Sequence, residues 1–124
     1  MITGIVRSNE GRIRLKVIGL QSQEIEVEAV IDTGYSGHLT LPPAVIKTLA
    51  LPWKTSDRAT LADGSQCLFD VYDGKVQWDG EPRRILVDEA DAQPLAGMRL
   101  LKGYELKMQV RAGGKVTIKQ LPHR

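Results

Sequence analysis

Two stretches near the start of the chain alternate strictly between apolar and charged residues. The charged positions are basic in Arg12–Val17 and acidic in Glu24–Ala29. Alternation with a period of two is typical of strands that have one buried face. If the two stretches pair as an antiparallel hairpin around Gly19, their apolar residues share one face and the bases stand opposite the acids. Each such cross-strand pair contributes about 0.2–1 kcal/mol, so apolarity and charge predict the same hairpin.

The acidic strand of this hairpin runs directly into an Asp-Thr-Gly triplet. Residues 29–31 are apolar and lead to Asp32, Thr33 and Gly34. A carboxylate at the end of a buried strand is unfavourable unless it is hydrogen-bonded. Gly34 and Gly37 permit a sharp turn that points backbone N–H groups at this carboxylate, and the Thr33 hydroxyl is a further donor and acceptor. The triplet also fits an ordinary turn after a strand, because Asp and Gly are common turn residues.

The middle of the chain contains three Asp-Gly dipeptides, which are typical of hairpin turns. Asp63-Gly64 has small and polar neighbours, which predicts a hairpin tip that projects away from the core. Asp73-Gly74 predicts a two-residue turn that places Val71 opposite Val76, and a longer loop is expected over residues 79–82. This part of the chain therefore reads as consecutive hairpins.

Shorter elements complete the pattern. Residues 38–41 predict a short strand, and a short helix or a couple of turns is expected from the Pro42-Pro43 pair to Ala50. A second short helix is expected between Gly97 and Gly103, and the last strand, Lys115–Lys119, is predicted to be an exposed sheet edge. Seven or more short strands with two short helices predict an all-β fold, either a partly closed barrel or a sandwich.

Length and composition exclude several classes of protein. The 124 residues fit one domain with a modest core, so we expect residues 1–124 to form a single domain. A net charge of +2 without a dense Lys/Arg cluster argues against nucleic-acid binding. No apolar run is long enough to span a membrane, and the start of the chain lacks the pattern of a signal peptide. The single cysteine, Cys67, fits a reducing compartment, so we expect a cytoplasmic protein.

Neither histidine stands in a pattern that predicts a metal site. His38 and His123 are far from the cysteine and from each other, and no Cys/His cluster has the spacing of metal ligands. We therefore expect no metal and no cofactor, and we interpret both histidines as surface or loop residues.

Three short motifs, in order, resemble those of the retropepsin-like aspartic proteases. Val30–Gly34 resembles the catalytic loop of this family, and Ala62–Ser65 stands in the place of its flap hairpin. Pro94–Gly97 resembles the apolar-apolar-glycine motif that precedes its short helix. The resemblance runs from about Arg12 to Val110 and fits the single-domain type found in retroviruses and as stand-alone bacterial proteins.

The resemblance implies a fold, an activity and a site. The implied fold is an all-β half-barrel with a flap hairpin and one or two short helices. The implied activity is that of an aspartic endopeptidase, in which two carboxylates share one proton and activate water. The chain has only one such triplet, so the active species would be a homodimer that cleaves a peptide or protein substrate in an apolar cleft. The implied catalytic residues are Asp32, Thr33 and Gly34, and the implied substrate-binding residues are Tyr35, Ala62, Asp63 and Gly64.

Two positions depart from the pattern of the family. Tyr35 stands where pepsin-like enzymes have Ser and retroviral enzymes have Ala, and it is too large for either role, so we expect it to line the cleft. Ala96 is smaller than the residue usual before the glycine. Two alternatives stay open: a catalytically inactive domain of the same fold that dimerises or binds peptides, and an unrelated small β-barrel with a chance triplet.

Overall fold

The computed structural model describes residues 1–122, so that His123 lies outside the described part of the chain. The described residues form ten strands and two short helices, which confirms the predicted all-β class. In chain order the elements are β1 (Ile2–Arg7), β2 (Glu10–Ile18), β3 (Glu24–Ile31), β4 (Leu39–Leu41), α1 (Pro43–Leu49), β5 (Trp53–Thr60), β6 (Gln66–Trp78), β7 (Glu81–Glu89), β8 (Leu95–Ala96), α2 (Met98–Leu101), β9 (Tyr104–Met108) and β10 (Lys115–Gln120).

The alternating stretches form the β2–β3 hairpin in the predicted register. On the buried face, Leu15 lies opposite Val27. On the exposed face, Lys16 lies opposite Glu26, and the Glu26 carboxylate pairs with the Arg14 guanidinium at 3.2 Å. The apolar and the charge pattern are therefore both satisfied by one pairing.

All ten strands belong to one sheet, in the order β5-β6-β7-β4-β8-β3-β2-β1-β10-β9. Strand β6 also pairs with β2, where Val76 lies opposite Val17, so the sheet folds back on itself. Most neighbouring strands are antiparallel, but β3–β8 and β4–β7 are parallel. The parallel pair β3–β8 brings the ends of these two strands together, where the Asp-Thr-Gly segment begins.

The core lies inside this folded sheet and takes residues from nearly every element. Its largest fully buried side chains are Ile13, Leu39, Leu41, Leu49, Leu100 and Ile118, with Val6, Val17, Val76, Val87 and Val116 between them. Apolar burial of this kind contributes about 25 cal/mol per Å² of area removed from water. The core therefore fixes the sheet on which the Asp-Thr-Gly segment stands.

The two helices are short and cap the core. Helix α1 begins with Pro43, buries Ile46 and Leu49, and ends at Leu49; the next residue, Ala50, caps it with a positive φ of 51°. Helix α2 follows Gly97 and has four residues. Within residues 1–122, no helix has the length and apolarity that crossing a membrane requires.

The predicted turn at Asp73-Gly74 is wrong, because both residues lie inside β6. That strand runs without a break and pairs with β7 along its second half. A Cβ on Gly74 would lie 2.8 Å from Val87 Cγ2, so the glycine allows close packing and does not mark a turn. The chain reverses at Asp79-Gly80, whose φ values of 52° and 87° suit a two-residue hairpin. The longer loop expected over residues 79–82 is also wrong, because β7 already begins at Glu81, opposite Trp78.

The predicted exposed edge at Lys115–Lys119 is also wrong. Strand β10 lies between β1 and β9, and its residues Val116 and Ile118 are fully buried. Its partner β1 pairs with it in antiparallel fashion, with Ile2 opposite Ile118. The described sheet ends instead at β5 and β9.

Candidate functional site

Asp32 directly follows β3, at the point where that strand lies parallel to β8. Its backbone N–H donates to the Ala96 carbonyl oxygen at 2.9 Å, which ties it to the end of β8. Its side chain is half-buried, and its Oδ1 accepts the Gly34 N–H at 2.9 Å. Thr33, between them, is exposed. The carboxylate is thus held by backbone and still reaches the surface.

The segment 32–38 is fastened to the start of α2 by three backbone hydrogen bonds. The N–H groups of residues 97–99 donate to the carbonyl oxygens of His38, Tyr35 and Gly37, in that order, at 2.9, 2.8 and 3.1 Å. There is no room for a side chain at Gly97, because a Cβ there would collide with the Gly37 carbonyl oxygen. The glycine of the apolar-apolar-glycine motif therefore permits the close approach of two backbones.

The Tyr35 hydroxyl donates a hydrogen bond of 2.6 Å to Asp88 Oδ2, on β7. Burial raises the pKa of Tyr35, and the hydrogen bond to a carboxylate raises it further, so the phenol stays protonated. Burial also raises the pKa of Asp88, and the hydrogen bond from Tyr35 offsets part of that rise. The pair links the Asp-Thr-Gly segment to the neighbouring strand.

His38 is half-buried beside two cationic side chains. Its Nδ1 accepts the Leu86 N–H at 3.3 Å, so this nitrogen carries no proton. Burial, and then the positive charges of Arg83 and Arg99, lower the pKa of His38 from its ordinary value of 6.5 to about 4. The imidazole is therefore neutral at physiological pH and joins the end of the segment to β7.

Acid should weaken the fold through this histidine. In the unfolded chain His38 takes up a proton near pH 6.5, whereas the folded protein resists protonation down to about pH 4. The free energy of unfolding should therefore fall as the pH drops from 6.5 to 4, by about 1–2 kcal/mol after allowance for partial exposure. Urea unfolding across this range, compared with His38→Asn, measures the effect, because the amide oxygen can still accept from Leu86 but does not titrate. Parallel pH curves for the two proteins would contradict the prediction.

A cavity of about 1240 Å³ lies between segment 34–38 and the β5–β6 hairpin. Residues 55–61 and 67–71 of the hairpin line one side, and residues 86 and 88–91 lie along β7 and beyond it. The lining is mixed and not uniformly apolar, since it includes seven charged residues: Asp57, Arg58, Asp70, Asp88, Glu89, Asp91 and Arg99. The volume slightly exceeds the range of about 300–1,000 Å³ that is usual for small-molecule pockets.

The tip of the β5–β6 hairpin is a compact exposed loop. The Leu61 N–H donates to the Ser65 carbonyl oxygen at 2.7 Å, and Gly64 has a positive φ of 86°. Asp63 Oδ1 accepts the Ser65 N–H at 2.9 Å, and hydrogen bonds from Ser65 lower the pKa of Asp63. As predicted, the Asp63-Gly64 turn forms a tip that is exposed and apart from the core.

The structure brings only some of the predicted site residues to the cavity. Gly34 and Tyr35 line it, whereas Asp32 and Thr33 lie in the same loop outside the lining. The tip residues 62–64 also lie outside it. Among the described residues, no group of three Cys, His, Asp or Glu side chains could hold a metal ion.

Sequence reasoning missed Asp88 and the neutral His38. A signal for Asp88 was present: it follows the apolar run 85–87 in the way that Asp32 follows the apolar run 29–31. No comparable signal marked His38, because its neutral state depends on β7 and on arginines distant in sequence.

The comparison with models of known protein families gave no match, and neither did the comparison with curated proteins. The family resemblance therefore depends on the motifs of this chain and on their order.

Proposed function

We propose that this chain is a retropepsin-like aspartic endopeptidase that acts as a homodimer. The observation that carries the proposal is Asp32 itself, half-buried at the end of β3 with Gly34 N–H on its Oδ1, next to a cavity large enough for an extended peptide. The folded sheet is then the half-barrel of this family, and the β5–β6 hairpin is its flap.

The proposed reaction needs one Asp32 from each of two chains. Two carboxylates in close proximity share one proton, because like charges resist simultaneous ionisation. The charged carboxylate accepts a proton from a bound water, whose oxygen attacks the scissile carbonyl carbon. The protonated carboxyl donates to the carbonyl oxygen, and the pair titrates as a unit. The Thr33 hydroxyls brace the two loops across the axis, and the Gly34 N–H keeps each carboxylate in place.

The remaining predicted residues would hold the peptide. Tyr35 forms part of the cavity wall, and the tip residues Ala62, Asp63 and Gly64 would close over the bound chain. A mobile tip is consistent with its full exposure, since segments with few buried contacts open at low free-energy cost. The charged lining of the cavity favours substrates with polar side chains alongside apolar ones.

The tip should exchange its amide protons rapidly in the free protein and become protected by a peptide-like inhibitor. This follows from the exposure of residues 61–66, in which the N–H groups of Leu61, Gly64 and Ser65 bond within the tip and Gln66 lies opposite Thr60 at the end of the hairpin. Hydrogen exchange of these amides with and without inhibitor measures it, with the buried strand β2 as internal reference. Strong protection in the free protein would mean that the tip is packed structure and not a lid.

Cleavage of a random peptide library by the wild type and by Asp32→Asn, across a range of pH, tests the proposed function. Cleavage by the wild type alone supports an aspartic peptidase. If neither protein cleaves but both bind extended peptides, the chain is the non-catalytic peptide-binding module.

A further inference from the structure

The Tyr35 backbone is connected to Asp32 on one side and to α2 on the other. Its N–H donates to the Asp32 carbonyl oxygen at 3.1 Å, which closes a turn over residues 32–35. Its carbonyl oxygen accepts the Met98 N–H at 2.8 Å. A displacement of Tyr35 would therefore shift the turn that presents the Asp32 carboxylate.

The Tyr35 ring lies in a slot that two glycines keep open. A Cβ on Gly37 would lie 2.5 Å from the Tyr35 hydroxyl oxygen, and one on Gly97 would lie 2.5 Å from Cδ2 of the ring. Larger residues at either position would compete with the ring for the same space. The ring thus fills the gap between the loop of residues 32–38 and the start of α2.

The far end of the ring is fixed by Asp88. Within the described residues, the hydroxyl of Tyr35 is the hydrogen-bond donor to this half-buried carboxylate, at 2.6 Å. Hydrogen bonds to a charged acceptor are shorter and stronger than neutral ones. The two residues are 53 positions apart in sequence, so the contact joins the loop to a separate strand of the sheet.

We propose that the Tyr35–Asp88 hydrogen bond is a side-chain contact that, together with the backbone hydrogen bonds to α2, positions the Asp32 loop (residues 32–38), and that Tyr35 is a positioning residue for the hydrolysis. The proposal rests on the proposed function for its kinetic part. Its geometric part concerns only the loop: the hydroxyl, bonded to Asp88, holds the ring in the slot, the ring holds the turn, and the turn sets the direction of the carboxylate. This role explains why a large side chain follows the Asp-Thr-Gly triplet in this chain.

The test compares variants that separate the hydrogen bond from the charge. Tyr35→Phe removes the hydroxyl alone, and Asp88→Ala removes the acceptor. Asp88→Asn keeps an acceptor oxygen and removes only the charge. Tyr72→Phe is the matched control, because the Tyr72 hydroxyl also donates to a carboxylate, that of Glu89, at 3.2 Å, and this bond joins β6 to β7 without involving residues 32–38.

Tyr35→Phe and Asp88→Ala should each lower kcat about ten- to a hundredfold with little change in KM, since a small misplacement of a reacting group has effects of that size. Their double variant should be no worse than either single one. Asp88→Asn should restore most of the activity, and Tyr72→Phe should match the wild type. A merely structural role would instead leave kcat per folded molecule unchanged.

Hydrogen exchange provides a readout that does not depend on catalysis. The amides of Tyr35 and Met98 should exchange faster in Tyr35→Phe and in Asp88→Ala, and at rates closer to those of the wild type in Asp88→Asn, which keeps an acceptor but loses its charge. Unchanged exchange in Tyr35→Phe, or additive effects in the double variant, overturns the positioning role even if Asp32→Asn abolishes cleavage. A wild type that cleaves no peptide overturns the proposed function, while the exchange rates still decide whether Tyr35 positions the loop.

Discussion

Replacing Asp32 by Asn is expected to lower the rate of peptide cleavage about a hundred- to ten-thousandfold, because general acid–base catalysis by a side chain raises reaction rates by a factor of this size. Asn cannot accept the proton of the attacking water, and two Asn side chains cannot share one. The fold should persist, because the amide oxygen can still accept the Gly34 N–H that Asp32 Oδ1 accepts. Initial rates on a library-selected peptide, measured alongside thermal unfolding, separate lost chemistry from lost structure.

Asp73→Asn is the matched control for this substitution. Asp73 is also followed by glycine, but it lies on the exposed side of β6, where its carboxylate has one ion pair within residues 1–122, with Lys54 at 3.7 Å. An exposed pair of this kind contributes little to stability, so the control should retain full activity. Undiminished cleavage by Asp32→Asn would end the aspartic-peptidase interpretation, and equal losses in both variants would point to a general effect of removing charge.

The β2–β3 hairpin could be predicted because local patterns specify it twice. Leu15 lies opposite Val27 and Lys16 opposite Glu26 as the alternation requires. A slip by one residue would move the whole apolar set to the solvent face, so no neighbouring register satisfies the sequence. The position of Asp32 follows from this hairpin, since it comes directly after β3.

Two of the wrong predictions concern segments in which pairing with a strand distant in sequence overrides the local preference of the residues. Asp73-Gly74 has the composition of a turn, yet it lies inside β6 because β6 and β7 pair continuously from the true turn at Asp79-Gly80. Lys115–Lys119 has the alternation of an edge strand, yet β1 covers it. The composition of β6 does not reveal its pairing with β7, and the composition of β10 does not reveal its pairing with β1.

The Asp-Thr-Gly segment of the candidate site could be predicted from the sequence, but the side-chain contacts around it could not. The Asp-Thr-Gly segment and the exposed hairpin tip follow from short contiguous motifs. The contact from Tyr35 to Asp88 spans 53 residues, and the contact of His38 with the Leu86 N–H spans 48. Such contacts depend on the parallel pairing of β4 with β7, which local periodicity does not encode.

The structure also changes which surface is available for a dimer. An exposed edge at Lys115–Lys119, as predicted from the sequence, would have offered a strand for pairing between chains. Because β10 is an interior strand with two fully buried residues, it is not free for such pairing. The exposed Thr33 and the half-exposed Met98, beside the Asp32 loop, are the surface that a two-fold axis through Asp32 would make self-complementary.

Activity per chain should fall on dilution through the dimer dissociation constant, because each chain supplies one Asp32 and the proposed reaction needs two. A ninefold excess of Asp32→Asn should reduce wild-type activity to roughly a tenth once subunits exchange, since random pairing leaves few wild-type chains together. The same excess of Asp73→Asn should add activity instead of removing it. Sedimentation at the assay concentration gives the oligomeric state directly. Full activity in a preparation that sediments as a monomer would overturn the proposed mechanism, because Asp32 is the only aspartate of the chain in an Asp-(Ser/Thr)-Gly triplet.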